Sequence, residues 1–132
     1  MAKKDPKTIL FLLNDTDLIL LNVMKNKFKK ENGWESIIST SYDEAIKSFE
    51  QEKPDGVLTE IIINDHEGRT GLDFISDIKG KRNASSTQVI IFTELGLDED
   101  KERANKLGVK HYFVKSKITL NELANEIKGI LH

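Results

Sequence analysis

Residues 56–68 read GVLTEIIINDHEG, and they place a single carboxylate at the end of an apolar run. The run 56–59 has the length of a strand, Glu60 ends it, and a loop rich in Asn, Asp and Gly follows. A short apolar run bounded by turn residues is typical of a strand buried inside a sheet. Glu60 is therefore either an ordinary residue at a strand end or a group that the fold holds there for a purpose.

On both sides of this stretch, apolar runs of strand length alternate with segments of helical periodicity. The predicted strands are 8–13, 34–40, 56–60, 88–93 and 110–115. The predicted helices are 17–30, 41–52, 70–80, 98–108 and 119–131, and residues 81–87 form a polar connection. This alternation predicts a parallel sheet with helices on both faces and right-handed crossovers.

The helix boundaries carry recognisable signals. Ser41 with Glu44, and Thr119 with Glu122, match the capping-box pattern that begins a helix. Gly33 and Gly108 stand where helices are expected to end. One face of the first helix is predicted to pack against the core, and three more apolar residues widen this apolar face. The added residues either pack in the core or contact a partner. The inward stripe of this face is Leu18, Leu21, Lys25 and Phe28, and the widening residues are Leu20, Val23 and Met24.

The fold class predicted from this pattern is α/β. We expect one domain over 1–132, with its core at 7–131, built on a doubly wound five-stranded sheet of flavodoxin-like order 2-1-3-4-5. Helices one and five should cover one face of the sheet, and helices two to four the other.

Composition narrows the possible functions. The 132 residues include 20 basic and 22 acidic side chains, a net charge of -2, which disfavours nucleic-acid binding by this domain. The sequence has no cysteine, so disulfides and thiolate metal sites are excluded. No apolar run approaches the roughly 20 residues that span a bilayer. We expect a cytoplasmic protein without a membrane segment.

Polar side chains follow several of the predicted strands at their carboxyl ends. Glu60 ends the third strand, Thr93 the fourth and Lys115 the fifth. The first strand delivers Leu13, Asn14 and Asp15 to the same edge. In doubly wound sheets this edge is where ligands bind, so a carboxylate, a hydroxyl and an ammonium are expected to meet there.

With these residues in place, the sequence resembles the receiver domains of bacterial two-component response regulators over residues 7–131. QEKPDGVLTE (51–60) is similar to the family's run into its phosphorylated aspartate. IIFTELG (90–96) resembles its fourth strand with the switch hydroxyl, and LGVKHYFVKS (107–116) its fifth strand with an aromatic residue and a lysine.

The resemblance implies a phosphorylation switch. In the family a histidine kinase donates a phosphoryl group to the aspartate that ends strand three, and two acidic residues after strand one hold Mg²⁺. A Thr or Ser and a Lys then contact the phosphate and repack the face made by helix four, strand five and helix five. This implies that Glu60 occupies the acceptor position, and that Thr93, Tyr112 and Lys115 occupy the switch and phosphate-contact positions.

The sequence departs from this family pattern at the residues that install the phosphoryl group. The acceptor position holds Glu60 instead of Asp, and the acidic pair falls on Leu13 and Asn14 or, shifted by one, on Asn14 and Asp15. Neither register supplies two carboxylates. The loop 61–71 is longer than usual and lacks the usual proline, and Ser116 replaces the proline after Lys115.

These departures leave several interpretations open. Glu60 and Lys115 are expected to pair directly, as a plain structural ion pair or as a fixed imitation of the phosphorylated state. A Glu60 that is not coupled to Lys115 would be a relic, and Glu60 as a true acceptor is a further alternative. Thr93 and Tyr112 are either switch residues or ordinary packing and hydrogen-bonding groups. Asp15 is expected to cap the first helix, with a weak Mg²⁺ site at Asp15 and Glu60 as the alternative.

Other protein classes fit the sequence poorly. A flavodoxin needs a phosphate-cradling loop after strand one, where this chain has the acids of NDTD (14–17). Asp65 and His66 have the wrong spacing for a cobalamin domain and lack a third metal ligand. A hydrolase needs a base beside a nucleophile, and His111 begins strand five at the opposite end.

The function predicted from the sequence is therefore a non-enzymatic signalling module. We expect a stand-alone, atypical receiver that acts by protein contact, with little or no phosphorylation and no cofactor, Mg²⁺ being doubtful. The alternatives are a conventional Mg²⁺-dependent response regulator and a structural or dimerisation module. The expected partners are a histidine kinase or an output protein, and the expected state is a monomer or a weak homodimer.

Overall fold

A computed structural model describes residues 6–81 and 86–131, and it contains five parallel strands alternating with five helices. The strands are β1 Thr8–Leu12, β2 Glu35–Ser39, β3 Gly56–Thr59, β4 Gln88–Thr93 and β5 His111–Val114. The helices are α1 Leu18–Asn32, α2 Tyr42–Glu52, α3 Gly71–Lys79, α4 Asp98–Lys106 and α5 Leu120–Leu131. Short 3-10 turns at Asp15–Asp17 and Lys115–Lys117 follow the first and last strands.

The sheet has the predicted order β2-β1-β3-β4-β5, with every pair parallel. Leu12 of β1 is paired with Thr59 of β3, and Thr93 of β4 with Val114 of β5. The carboxyl ends of β1, β3, β4 and β5 therefore lie side by side, which places Glu60, Thr93 and Lys115 along one edge.

Alternating side chains of the sheet feed two apolar layers, as predicted. One layer packs Ile9 and Phe11 of β1 against α1 and α5. On the other face Leu10 and Leu12 pack against α2 and α3, and Ile91 of β4 packs against α3 and α4. The fully buried strands explain why their sequences are apolar throughout, because side chains on both faces are covered.

Most helix ends form as their sequence signals predict. The Ser41 hydroxyl accepts a hydrogen bond from the Glu44 amide, and Thr119 and Glu122 exchange both bonds of a capping box. Gly33 ends α1 with a φ of 70°, a left-handed conformation that glycine adopts without strain.

The predicted inward stripe of α1 is wrong at Lys25 and at Leu18, which is 36% exposed. The buried residues of α1 are Leu21, Met24 and Phe28, whereas Lys25 is exposed. Met24 occupies the core position on that turn, and burying an unpaired ammonium beside it is costly. Val23 is 49% exposed and therefore does not widen the buried face.

Two further sequence predictions concern the connection before β4 and the absence of a membrane segment. The polar connection 81–87 is described at its ends, and residues 82–85 lie outside the described part of the chain. Within the described residues, no helix has the length and apolar character that crossing a membrane requires.

Candidate functional site

Glu60 lies directly after β3 and is almost completely buried, with 3% of the residue exposed. Its amide continues the ladder by donating to the Leu12 carbonyl at 3.0 Å. Its Oε2 accepts a hydrogen bond from the amide of Ile61 at 2.6 Å. A buried carboxylate is stable only when its oxygens find donors, and the backbone supplies a donor to one oxygen and leaves the other for a charged partner.

Lys115 is that partner, and the direct contact predicted from the sequence is present. Its Nζ lies 2.9 Å from Glu60 Oε1, with 17% of the lysine side chain and 4% of the glutamate side chain exposed. Burial acts to lower the pKa of Lys115, but hydrogen bonds to Glu60 and Asp17 outweigh it, and the pKa lies above its ordinary value. The lysine is therefore held in its charged form.

Asp17 is a second carboxylate on Lys115, and the sequence did not single it out. Its Oδ2 and Oδ1 lie 3.2 Å and 3.3 Å from the lysine Nζ, and 16% of its side chain is exposed. The only signal in the sequence is the second acid of the DTD turn (15–17), which follows the position where the family places its acidic pair. The 3-10 turn after β1 brings this residue back over the sheet edge.

The three residues predicted at the acidic-pair position have other surroundings. Leu13 is fully buried in the core layer beneath α1 and α5. The Asn14 amide donates to the Ile62 carbonyl at 2.8 Å, and its oxygen accepts from the Asn64 amide at 3.0 Å. Continuing the pairing of Leu12 with Thr59 by one residue sets Leu13 beside Glu60.

Asp15 is not the helix cap that the sequence predicted. It is exposed, and the residues at the cap positions are Asn14 before the 3-10 turn and Asp17 before α1. Neither Asn14 nor Asp17 makes a side-chain capping bond; Asn14 bonds the loop after β3, and Asp17 contacts Lys115. Asp15 points to no partner among the residues that the structure describes, and the site receives its carboxylate from Asp17.

The long loop after β3 is fixed to α2 by an arginine clamp. Arg69 donates from Nε and a terminal nitrogen to Asp65, at 2.9 Å and 2.8 Å, and from its other terminal nitrogen to Asp43 at 3.1 Å. The guanidinium also stacks over the ring of Tyr42 at 4.0 Å. The hydrogen bonds from the Arg69 side chain are the main cause that holds the pKa of Asp65 below its usual range. The Asp65 carboxylate thus organises this loop and has no role as a metal ligand with His66.

Gly71 allows α3 to begin against the end of β3. Its amide donates to the Ile61 carbonyl at 2.7 Å, and a Cβ at this position would lie 1.8 Å from the carbonyl oxygen of Glu60. Only glycine permits so close a backbone approach. The start of α3 therefore locks the backbone of Glu60 in place.

Thr93 and Tyr112 lie on the β4–β5 side of the site. Thr93 is fully buried, and its hydroxyl accepts from the Leu95 amide at 3.2 Å. Tyr112 is half-buried, and its hydroxyl donates to the Leu95 carbonyl at 2.5 Å. Burial, together with the charges of Asp100 and Glu60, raises the pKa of Tyr112 to about 12. Both side chains thus converge on the β4–α4 loop, and their switch roles stay predictions.

The fold and the site together define a class of protein: a doubly wound α/β domain with a carboxylate, a hydroxyl and a lysine at the carboxyl edge of strands three, four and five. The sequence model of the response regulator receiver domain matches residues 11–128. This chain belongs to the response regulator receiver domain family.

Individual relatives are distant in sequence. The phosphate regulon transcriptional regulatory protein PhoB of Escherichia coli is 26% identical over 102 residues, which cover 77% of this chain and 43% of that protein. The probable transcriptional regulator ycf29 of Cyanophora paradoxa is 28% identical over 121 residues, covering 92% of this chain and 55% of that protein. The chain spans about half the length of these curated relatives.

Solved structures share the fold at low sequence identity. A CheY-like response regulator receiver domain protein from Methanospirillum hungatei superposes with a TM-score of 0.81 at 21% identity, covering 96% of this chain and 94% of that one. The receiver domain of a sensor histidine kinase from Pseudomonas aeruginosa has a TM-score of 0.78 at 17% identity, covering 96% and 98%. That structure holds a magnesium ion coordinated in its active-site cleft.

The side chains of the present site do not fit a magnesium ion. Mg²⁺ requires octahedral oxygen ligands close to the metal, yet the oxygens of Glu60 and Asp17 that face the site are bonded to the Lys115 ammonium. The Leu13 side chain supplies no oxygen. Among residues 6–81 and 86–131, no three acidic or histidine side chains are grouped to hold a metal.

Proposed function

We propose that this chain is an atypical receiver, a non-enzymatic signalling module in which the ion pair of Glu60 and Lys115 replaces the phosphorylation cycle. The domain acts by contact with proteins, and a histidine kinase or an output protein is the class of partner that receivers of this family meet. Two observations support this function: the chain belongs to the receiver family, and Glu60 and Lys115 form an ion pair at the site.

The contact between Lys115 and Glu60 is the observation that carries the proposal. The Lys115 ammonium, with 17% of its side chain exposed, lies 2.9 Å from a carboxylate oxygen of the buried Glu60, so the charge of the acceptor position is already paired. The nearby cleft, lined by Asn14, Glu60 and Thr93 among others, has a volume of about 160 Å³. The extra methylene of glutamate, compared with aspartate, lets the carboxylate reach the lysine directly.

The same pair supports a fixed signalling surface. Lys115 follows β5 immediately, and Tyr112 within β5 is bonded to the β4–α4 loop. An ion pair that fixes the end of β5 against β3 favours one arrangement of the surface made by α4, β5 and α5. Partners would then read this arrangement without a phosphorylation signal.

Incubation with acetyl phosphate and Mg²⁺, followed by intact-mass measurement, tests the proposal. The expected result is an unchanged mass. A matched sample of Glu60→Asp tests whether the acceptor alone is limiting, and it is also expected to stay unmodified, because Leu13 still supplies no metal ligand. A stoichiometric phosphoryl gain in the native chain that is lost in Glu60→Gln would overturn the proposal in favour of a conventional response regulator.

A further inference from the structure

The Lys115 ammonium contacts three carboxylate oxygens, one from Glu60 and two from Asp17. An ammonium group has three N–H donors and no acceptor. Glu60 and Asp17 therefore engage the ammonium from two different elements, the end of β3 and the turn after β1. The ring of Phe92, whose centroid lies 5.4 Å from Nζ, covers a further side of the group.

Asp17 reaches Lys115 from the junction between the 3-10 turn and α1. Its backbone, with φ -97° and ψ 2°, continues the turn into the helix and does not take the extended conformation of a capping residue. No side-chain capping bond forms, and the carboxylate instead reaches a lysine that is 98 positions away in the sequence. The contact therefore joins the turn after β1 to the end of β5 across the sheet edge.

We infer that Asp17 is a positioning residue that holds the Lys115 ammonium against Glu60 and occupies the donors with which it would otherwise read a phosphoryl group. The inference rests on the proposed function and deepens it, since it names the residue that keeps the lysine occupied. Asp17 thus places an acidic side chain near the end of β1, where it binds the lysine instead of a metal.

The charges around the lysine determine how the inference is tested. Besides Asp17 and Glu60, the exposed carboxylate Glu94 lines the opening over Lys115. Two carboxylates stabilise the charged form of the lysine directly, and removing either one is expected to lower its pKa. A side chain that only packed in this position would leave that pKa unchanged.

The test measures the pKa of Lys115 by NMR of its Cε group in the full chain and in Asp17→Asn. The expected result is a lower pKa in Asp17→Asn and faster acylation of Lys115 in competitive labelling, because more of the free amine is present. Asp17→Glu keeps the charge and is expected to restore a pKa close to that of the native chain. Asp15→Asn, which removes an exposed acid from the same turn, is the matched control and is expected to change neither quantity.

An unchanged Lys115 pKa in Asp17→Asn, or an equal fall in Asp15→Asn, would overturn the inference. Circular dichroism of each variant establishes that the fold is retained, and if Asp17→Asn fails to fold, the same comparison is made between Asp17→Ser and Asp15→Ser, each of which also removes one carboxylate. These results are separate from the phosphorylation test. A chain that accepts a phosphoryl group refutes the proposed function even if Asp17 controls the lysine, and a silent Asp17 refutes only the positioning role.

Discussion

Substituting Lys115 by Met removes the ammonium while keeping an unbranched apolar stem, and it isolates the energetic contribution of the buried pair. Exposed ion pairs contribute about 0.2–1 kcal/mol, and breaking a buried pair costs about 3–5 kcal/mol. Glu60 is buried like the second case, whereas Lys115 keeps 17% of its side chain exposed. We therefore expect Lys115→Met to lower the free energy of unfolding by about 2–3 kcal/mol, between these limits.

Urea denaturation followed by the fluorescence of the single tryptophan, Trp34, measures this change, because that side chain is 6% exposed in the fold. Lys29→Met is the matched control. Lys29 pairs with Glu35 on the surface, where the two side chains are 61% and 56% exposed, and its loss should cost less than about 1 kcal/mol.

A double-mutant cycle with Glu60→Gln then separates the pair from its surroundings. Groups in direct contact show coupling energies of about 0.5–3 kcal/mol, whereas distant groups are additive. We expect clear coupling between Lys115→Met and Glu60→Gln. Additive effects, or a cost for Lys115→Met no larger than that of Lys29→Met, would refute the reasoning that the pair is buried and energetically joined.

Three further predictions concern pH and packing. Because folding raises the pKa of Lys115, the contribution of its charge to the free energy of unfolding is full below about pH 10.4, the unfolded value. This contribution is lost as the pH rises through the folded pKa. The free energy of unfolding of Lys115→Met should therefore fall less steeply at alkaline pH in pH-dependent denaturation. The pKa of Asp65 beside Arg69 is lowered, so its contribution is present above about pH 3.9 and is lost as the pH falls through the folded value; Asp65→Asn should flatten the acid limb of the same titration. Gly71→Ala should lower the free energy of unfolding by at least about 3 kcal/mol in urea denaturation, because its Cβ meets a backbone oxygen, whereas Gly129→Ala, with open space, should raise it by about 0.5–1 kcal/mol.

Each of these predictions has a contrary outcome. Identical alkaline limbs in the native chain and Lys115→Met would show that the lysine pKa is not raised by folding. An acid limb unchanged in Asp65→Asn would show that the clamp contributes nothing to acid stability. Equal stabilities of Gly71→Ala and Gly129→Ala would contradict the close approach of α3 to Glu60.

The fold was predictable because its signals are local and repeated. Five apolar runs alternate with helical segments, and the glycine and capping patterns at Gly33 and Thr119 set boundaries that the structure reproduces within a few residues. The edge positions of Glu60 and Lys115 followed from the topology alone, since parallel strands bring their carboxyl ends together. Their direct contact followed from opposite charge at that shared edge.

The rest of the site could not be predicted, because it depends on the paths of the backbone in turns and loops, which residue patterns do not reveal. Asp17 and Lys115 are 98 positions apart and meet only because a 3-10 turn redirects the chain after β1. The clamp of Asp65 and Arg69 lies within an unusually long loop, whose path is set by its own side chains. Asp15 was assigned the cap because acids favour that position in general, and tertiary contacts overrode the preference.

The most direct test of whether the ion pair prevents a phosphoryl-like group from binding is a titration of the native chain with beryllofluoride and Mg²⁺. The titration is followed through the backbone amide NMR signals of Glu60, Thr93 and Lys115. Beryllofluoride imitates a phosphoryl group without requiring its chemical transfer, so the measurement reports on the site itself and not on the donor. No saturable change in these signals is expected at concentrations that leave the rest of the spectrum unchanged. Saturable shifts confined to these residues and dependent on Mg²⁺ would contradict this expectation, because they would show that Lys115 leaves Glu60 to bind a phosphoryl-like group.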